Sequence, residues 1–282
     1  MSHRLLPLVL LVTGCQPSSP CDEGDIRRDG ACIPYEETEP VTAEVVSPPA
    51  GEPWQWQITG ALNTEPDVAT YDVDLFAMTD EDYAQLRADE RVIVCYFSAG
   101  SYEPWTEDAA LFPADAIGRR LDGWPDERWL DHTRSEVRAV MSARLDRAVQ
   151  RGCDGVEPDN VTAQNARSGF GITDLEQLDY NRWLADEAHR RGLSIALKND
   201  VEQVPELVDW FDFTVNEECM AWDECDTLRP FVDAGKAVLH VEYVDDWDDA
   251  PALNDEVCGA FPGFSSIVKG WDLGPEFLPC TP

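Results

Sequence analysis

Cys153-Asp154-Gly155-Val156-Glu157-Pro158-Asp159-Asn160 is the stretch on which both fold and chemistry turn. Asp154-Gly155 is a turn signal that opens a short apolar strand. The strand closes on Glu157 and Asp159, two positions apart. Successive strand residues face opposite sides, so both carboxylates point one way and Val156 and Pro158 the other. A carboxylate at the end of a buried strand is costly to keep without partners. In a parallel α/β protein the C-terminal end of a strand is where active sites assemble. Taken alone, these residues also read as a turn followed by a helix N-cap at Asp159 or Asn160.

Working outward, strand and helix patterns alternate. Strands are expected at 54–58, 73–77, 91–97, 155–159, 194–198, 211–216, 237–242 and 266–269, and helices at 79–88, 135–151 and 175–191. Gly152 and Gly192 follow the second and third helical patterns as C-cap glycines. Such alternation implies a parallel sheet, and eight strands in a domain spanning 54–282 fit a single (β/α)8 TIM-type barrel. A doubly wound open sheet is the alternative. No glycine-rich phosphate loop follows any strand, which weighs against it.

The expected strand ends are polar: Gln55 and Gln57, Asp72 and Asp74, Tyr96 and Ser98, Glu157 and Asp159, Lys198 to Asp200, Asn216 to Glu218, Glu242 and Tyr243. Seven polar ends in register mark the catalytic face of a barrel better than they mark helix caps, although Asn160 and Asp200 could each begin a helix. The set is rich in carboxylates, with no Ser–His pair and no free thiol beside a histidine. His3, His132, His189 and His240 form no spaced cluster, so neither a zinc site nor any cofactor is expected. Paired carboxylates beside aromatic residues suit glycoside hydrolysis, in which one attacks or activates water and the other protonates the leaving oxygen. Trp54, Trp56, Trp105, Trp124 and Trp129 fall near strand ends or loops, where an indole either stacks on a sugar face or completes the core.

The formal net charge is −35, from 56 acidic and 21 basic residues. This excludes nucleic acid as a natural partner and favours a cationic one; adaptation to salt accounts for such a surface as well. Leu5 to Leu11 is too short and apolar a run to be a mature membrane span, and it reads as the core of an export signal over 1–14. Val12-Thr13-Gly14-Cys15 then resembles a lipobox, with Cys15 as the lipidated first residue and a bacterial membrane as its partner. Residues 15–53, rich in Pro, Glu and Thr, read as a tether without a core. The eight other cysteines suggest disulfides in an exported chain. Proximity pairs Cys21 with Cys32, Cys219 with Cys225, and Cys258 with Cys280, leaving Cys95 for Cys153.

From Trp54 to about Cys280 the chain resembles glycoside hydrolase family 114, the endo-α-1,4-polygalactosaminidase domain. The resemblance lies in Trp54-Gln55-Trp56-Gln57, Tyr71 to Phe76, Cys95-Tyr96-Phe97-Ser98-Ala99-Gly100, Asp154 to Asn160, Tyr180 to Ala185, Leu197-Lys198-Asn199-Asp200, Asn216-Glu217-Glu218-Cys219 and Val241-Glu242-Tyr243. It implies a (β/α)8 barrel that cuts α-1,4-linked galactosamine polymers, with the nucleophile on Asp159 and the acid/base on Glu217. Gln57, Asp74, Tyr96, Glu157, Lys198, Asp200, Glu242 and Tyr243 are then the expected substrate-binding residues. Lys198 would keep Asp159 ionised, and the acidic cleft would bind a cationic or partly acetylated galactosamine polymer. The chain departs from the family pattern at Ala77, Thr106 and Thr162. Strict alternation from Phe213 and Val215 turns Glu218 inward rather than Glu217, so the resemblance calls for a bulge or the start of a loop there. A monomer is expected. The other readings are a glycosidase for another α-linked sugar and a non-catalytic carbohydrate-binding lipoprotein.

Overall fold

The computed structural model describes residues 21–280. The segment expected to be an export signal, and Cys15, lie outside the described residues. Eight parallel strands follow one another around a nearly closed barrel: β1 Trp54–Gln57, β2 Thr70–Asp74, β3 Val92–Ser98, β4 Gly155–Asp159, β5 Ser194–Lys198, β6 Phe213–Glu217, β7 Ala237–Val244 and β8 Phe264–Gly270. A short ninth strand, β9 (Phe277–Pro279), pairs antiparallel with β8 and fills the seam towards β1. Helices α1 (Asp80–Ala88), α2 (Ser135–Arg151), α3 (Asp174–His189), α4 (Val204–Leu207), α5 (Arg229–Asp233) and α6 (Ala250–Val257) lie in the connections. The fold is the (β/α)8 type that the alternation implies.

Two apolar layers define the faces of each strand. Trp54, Trp56, Val94, Ala196, Phe213, Val215, Leu239, Val241 and Ile267 form the inner cluster. Tyr71, Val73, Cys95, Phe97, Val156, Ile195, Leu197 and Val238 belong to the outer one, beneath the helices. Strands covered on both sides carry apolar residues on both faces. Phe213 and Val215 are therefore inside, and simple alternation brings Glu217 inward as well. The bulge expected at this strand end is not needed.

β2 is three residues earlier than the sequence pattern suggests. Asp74 ends it by accepting hydrogen bonds from the N–H groups of Phe76 (2.7 Å) and Ala77 (2.6 Å), a side-chain turn that replaces the next ladder bonds. The segment read as a coreless tether is docked from residue 21 onward. Its hairpin, Asp25–Arg28 with Ala31–Pro34, inserts Arg27 against Glu176 of α3, with a buried Nε–Oε1 distance of 2.7 Å. Further along, Val41 N–H donates to Asp186 and the Ser194 hydroxyl to the carbonyl of Val46. Proline-rich composition gives this stretch no core of its own, and an ion pair and hydrogen bonds to α3 and β5 hold it in place. The disulfides of the described residues join the pairs that proximity and elimination select: Cys21–Cys32, Cys95–Cys153, Cys219–Cys225 and Cys258–Cys280.

Candidate active site

A cavity of about 580 Å³ opens at the C-terminal ends of the strands. Asp74, Tyr96, Asp159, Lys198 and Glu217 line it, each the last or an inward residue of its strand. Asn160 adopts φ 61° immediately after β4, and the Asp159 carbonyl accepts the N–H groups of Ala99 and Gly100 at 2.8 and 3.0 Å. A Cβ on Gly100 would stand 1.7 Å from the Asn160 carbonyl oxygen, so only glycine permits this approach.

Lys198 is the hub. Its Nζ lies 2.8 Å from Glu157 Oε1, 3.2 Å from Asp159 Oδ1 and 3.3 Å from Glu217 Oε2, and 4.4 Å from the centre of the Trp56 ring. Burial opposes its charge, yet Asp159, Glu157 and Glu217 together hold its pKa well above the ordinary lysine value. Asp159 Oδ2 accepts from the Tyr96 hydroxyl and the Asn160 amide, both at 3.1 Å. Glu217 Oε1 accepts from the Tyr243 hydroxyl at 2.6 Å, and Oε2 from Asn199 Nδ2 at 3.1 Å. Asn199, at φ 52°, also accepts the Glu217 N–H at 3.0 Å and so clamps both ends of that residue. Burial pushes Glu217 up, but Lys198, Tyr243 and Asn199 outweigh it and hold the carboxyl below its usual range.

Beneath this layer, Asp72 faces Glu157 with both carboxyls fully buried. Asp72 Oδ1, Asp72 Oδ2 and Glu157 Oε2 receive no N–H or hydroxyl hydrogen bond from any described residue. A proton shared between the carboxyls can pair one Asp72 oxygen with Glu157 Oε2. Burial first, and then Glu157, drive Asp72 well above the carboxylate range. Burial raises Glu157 to about 7 despite the pull of Lys198.

The connection between β3 and α2 forms one wall. It folds into a small sheet of Ser101–Tyr102, Ile117–Arg120 and Arg128–Leu130 and carries Glu103, Trp105, Trp124 and Glu127 to the cavity. Arg144 of α2 pins it from below, donating to Ser98 O at 2.6 Å and through two nitrogens to Asp108. Glu103 is raised to about 8, chiefly by burial, against the opposing charge of Arg144.

Asp159, Glu217, Asp74, Tyr96, Lys198 and Tyr243 therefore meet at one place, with Glu157 directly below. Gln57, Asp200 and Glu242 do not line the cavity and are corrected here. Gln57 is turned away from the inner cluster and is bound to Thr59 O, Ala61 O and Asn63 N. Asp200 accepts from Asn181 Nδ2 at 2.7 Å and Gln164 Nε2 at 2.8 Å. Glu242 alternates with inward Val241 and Tyr243, so it faces the helices and accepts from His240 Nε2 and Met220 N. Thr162 lines the cavity, whereas Thr106 packs against Arg144 and Ala77 lies in the Asp74 turn. Asp72, Asn199, Glu103 and Glu127 are site residues absent from the expected set. Asn199 sits in a quoted motif, whereas nothing in the pattern of the insertion marks Glu103 or Glu127.

Carboxylates gathered about one ammonium at the mouth of a parallel barrel are the setting of a sugar-cleaving enzyme, and a family model described as glycoside-hydrolase family GH114 matches residues 36–281. The chain belongs to family GH114 and is a glycoside hydrolase. The crystal structure of Aspergillus fumigatus Ega3 in complex with galactosamine is 36% identical, with 86% of this chain and 100% of that one covered and a TM-score of 0.82. The glycoside hydrolase domain of PelA from Pseudomonas aeruginosa is 15% identical over 81% and 98% of the two chains, at a TM-score of 0.63, a likeness of fold. A comparison with curated proteins found no match. The GH114 match begins inside the docked N-terminal segment, in keeping with its place against the barrel.

Proposed function

We propose that this GH114 protein is an exported, lipid-anchored endo-glycosidase that cleaves α-1,4-linked galactosamine polymers with retention of configuration. Asp159 is the nucleophile and Glu217 the acid/base. The observation that carries the reading is the single ammonium between them. Because Lys198 Nζ is 3.2 Å from Asp159 Oδ1 and 3.3 Å from Glu217 Oε2, those two oxygens lie within about 6.5 Å of each other. Retaining enzymes hold their carboxyls roughly 5–5.5 Å apart, whereas inverting ones leave about 6.5–9.5 Å for a water. Galactosamine is the sugar in the Ega3 complex. A free amine is cationic, and Asp74 and Glu127 line the cavity beside the catalytic pair. The four disulfides fit an oxidising compartment.

In the first step Asp159 attacks the anomeric carbon while Glu217 protonates the leaving oxygen. In the second, Glu217 takes a proton from water, which displaces Asp159. The depressed resting pKa of Glu217 suits its second role and penalises its first. The acid form is lost as pH rises through that low value, so kcat/KM should be highest at acid pH and fall about tenfold per unit on the alkaline side. The measurement is a pH profile on de-N-acetylated galactosamine oligomers, with product anomers followed by NMR. A β-configured first product would defeat retention. Asp159→Asn and Glu217→Gln should each reduce kcat by on the order of 10³-fold or more with the fold intact.

One observation favours a second assignment of the acid. Glu103 lines the same cavity and, at about 8, carries a proton at neutral pH. A substrate with an acidic phenol as leaving group needs no proton, so it rescues the first step only in the variant that lacks the true acid. Rescue of Glu103→Gln and not of Glu217→Gln would move the role to Glu103. Cys15→Ser should release the protein from membranes; full retention in a detergent phase would end the anchor reading.

A further inference from the structure

The cleft does not stop at Glu217. A second hollow of about 420 Å³ shares Trp124, Asn199, Glu217 and Trp271 with the first and continues to Glu218, Trp222 and Glu224. Asp159 lines the first hollow and not the second, whereas Glu217 lines both. An acid/base stands between the sugar under attack and the sugar that leaves. The nucleophile's side therefore belongs to the glycone, and the space beyond Glu217 to the leaving chain.

That space is built from beneath. Trp222 is 71% exposed, the most exposed large apolar side chain among the described residues. It is carried by a short loop closed by the Cys219–Cys225 disulfide, with both cysteines buried. Trp222 N–H donates to Glu218 O at 3.0 Å and Glu224 N–H to Cys219 O at 2.9 Å. The buried carboxylate of Glu242 takes the Met220 N–H at 2.8 Å while bonded to His240. This explains a carboxylate that the cleavage reaction does not use. Opposite the loop, the half-exposed Trp271 stacks on Tyr243 at 4.3 Å between centroids. Holding an indole rigidly in water has a cost that an arriving apolar face removes. Burial, the leading cause, raises both Glu218 and Glu224, and an arriving cation would pull both back down.

We propose that this second hollow is the binding subsite for the leaving end of the polymer. It takes a hexosamine with a free amine, one sugar face on Trp222 and the ammonium towards Glu218 and Glu224. The proposal rests on the function given above and assigns the polarity of the chain in the cleft.

The test compares the full-length enzyme with Trp222→Ala, Trp222→Phe and Glu224→Gln on galactosamine oligomers from trimer to octamer, de-N-acetylated or N-acetylated, with product lengths read by mass spectrometry. Binding of the octamer to Asp159→Asn, with and without Trp222→Ala, is measured by calorimetry. Trp222→Ala should lower kcat/KM on the octamer and weaken its binding by about tenfold, with the loss growing with length and the cut site shifting along the chain. Trp222→Phe should recover most of it. Glu224→Gln should lower the preference for free-amine over acetylated oligomers. If the parent enzyme cleaves galactosamine oligomers and Trp222→Ala changes neither rate, length dependence nor products, the subsite is refuted and the function stands. If the parent neither binds nor cleaves them, the function falls and the subsite with it.

Discussion

Lys198 on β5 and Lys269 on β8 are both buried within one barrel, and their electrostatics are opposite. Around Lys198 stand Glu157, Asp159 and Glu217, and its charge is held far above the neutral range although burial opposes it. Lys269 donates to Gln55 Oε1 at 3.1 Å and the Gly274 carbonyl at 2.6 Å, in the seam that β9 fills. Burial there outweighs the more distant Asp272 and Glu276 and lowers its pKa to about 7. Equal removal from water thus leaves one lysine durably charged and the other poised. What differs is whether the acceptors carry charge. The ammonium at Lys198 keeps its charge through the neutral range, whereas the one in the seam titrates within it.

The comparison breaks most visibly at Lys198. Lys198→Met strands the three carboxylates around it, and removing one partner of a buried ion pair costs about 3–5 kcal/mol. Denaturant unfolding should show a loss of that size, with hydrolysis lost by at least about a hundredfold. A stable, active variant would mean that the carboxylates do not depend on the ammonium.

Lys269→Met should cost less, about 1–3 kcal/mol, because it orphans only neutral acceptors. The pH dependence has a definite sign. The folded pKa of about 7 lies below the ordinary 10.5, so the unfolded chain takes up a proton first as pH falls. The lysine's contribution is complete above 10.5, shrinks as pH falls towards 7 and is constant below that. The stability gap between the parent and Lys269→Met should therefore widen with rising pH across this window. A gap independent of pH would show that Lys269 is charged in the fold.

The smallest effect is expected at Asp72. If it holds a proton against Glu157, the amide of Asp72→Asn donates in its place, and stability should change by less than about 1 kcal/mol. Asp72→Leu offers no donor and should lose more of both stability and activity. A severe Asp72→Asn phenotype would place the negative charge on Asp72.

The barrel is legible because alternating strand and helix patterns are a local signal, and β4 and β5 together with the Gly152 cap fall where that signal sets them. The site was legible in part. Asp159 and Glu157 are legible because they share one strand face while Val156 and Pro158 take the other. Gln57 and Glu242 were misplaced because a barrel strand is apolar on both sides, so a polar residue at its end does not declare its direction. The same ambiguity, with Phe213 and Val215 taken as outward, created a bulge that the chain does not have. Glu103 and Glu127 come from an insertion whose path depends on Arg144, some 40 residues downstream of Glu103, and no periodicity carries that information.

The Cys95–Cys153 disulfide closes a covalent ring from β3 to the entrance of β4. It contains the whole insertion and α2, including the exposed turn at 122–126. Closing a ring of 58 residues limits the unfolded chain by about 4 kcal/mol in the loop-entropy picture. The ring also bears on how the chain survives a proteolytic cut. A protease that cuts once at that turn produces two peptides that remain one molecule, with Asp159 on one, Tyr96 on the other and the disulfide between them. Nicked enzyme should migrate as a single species until a reductant is added.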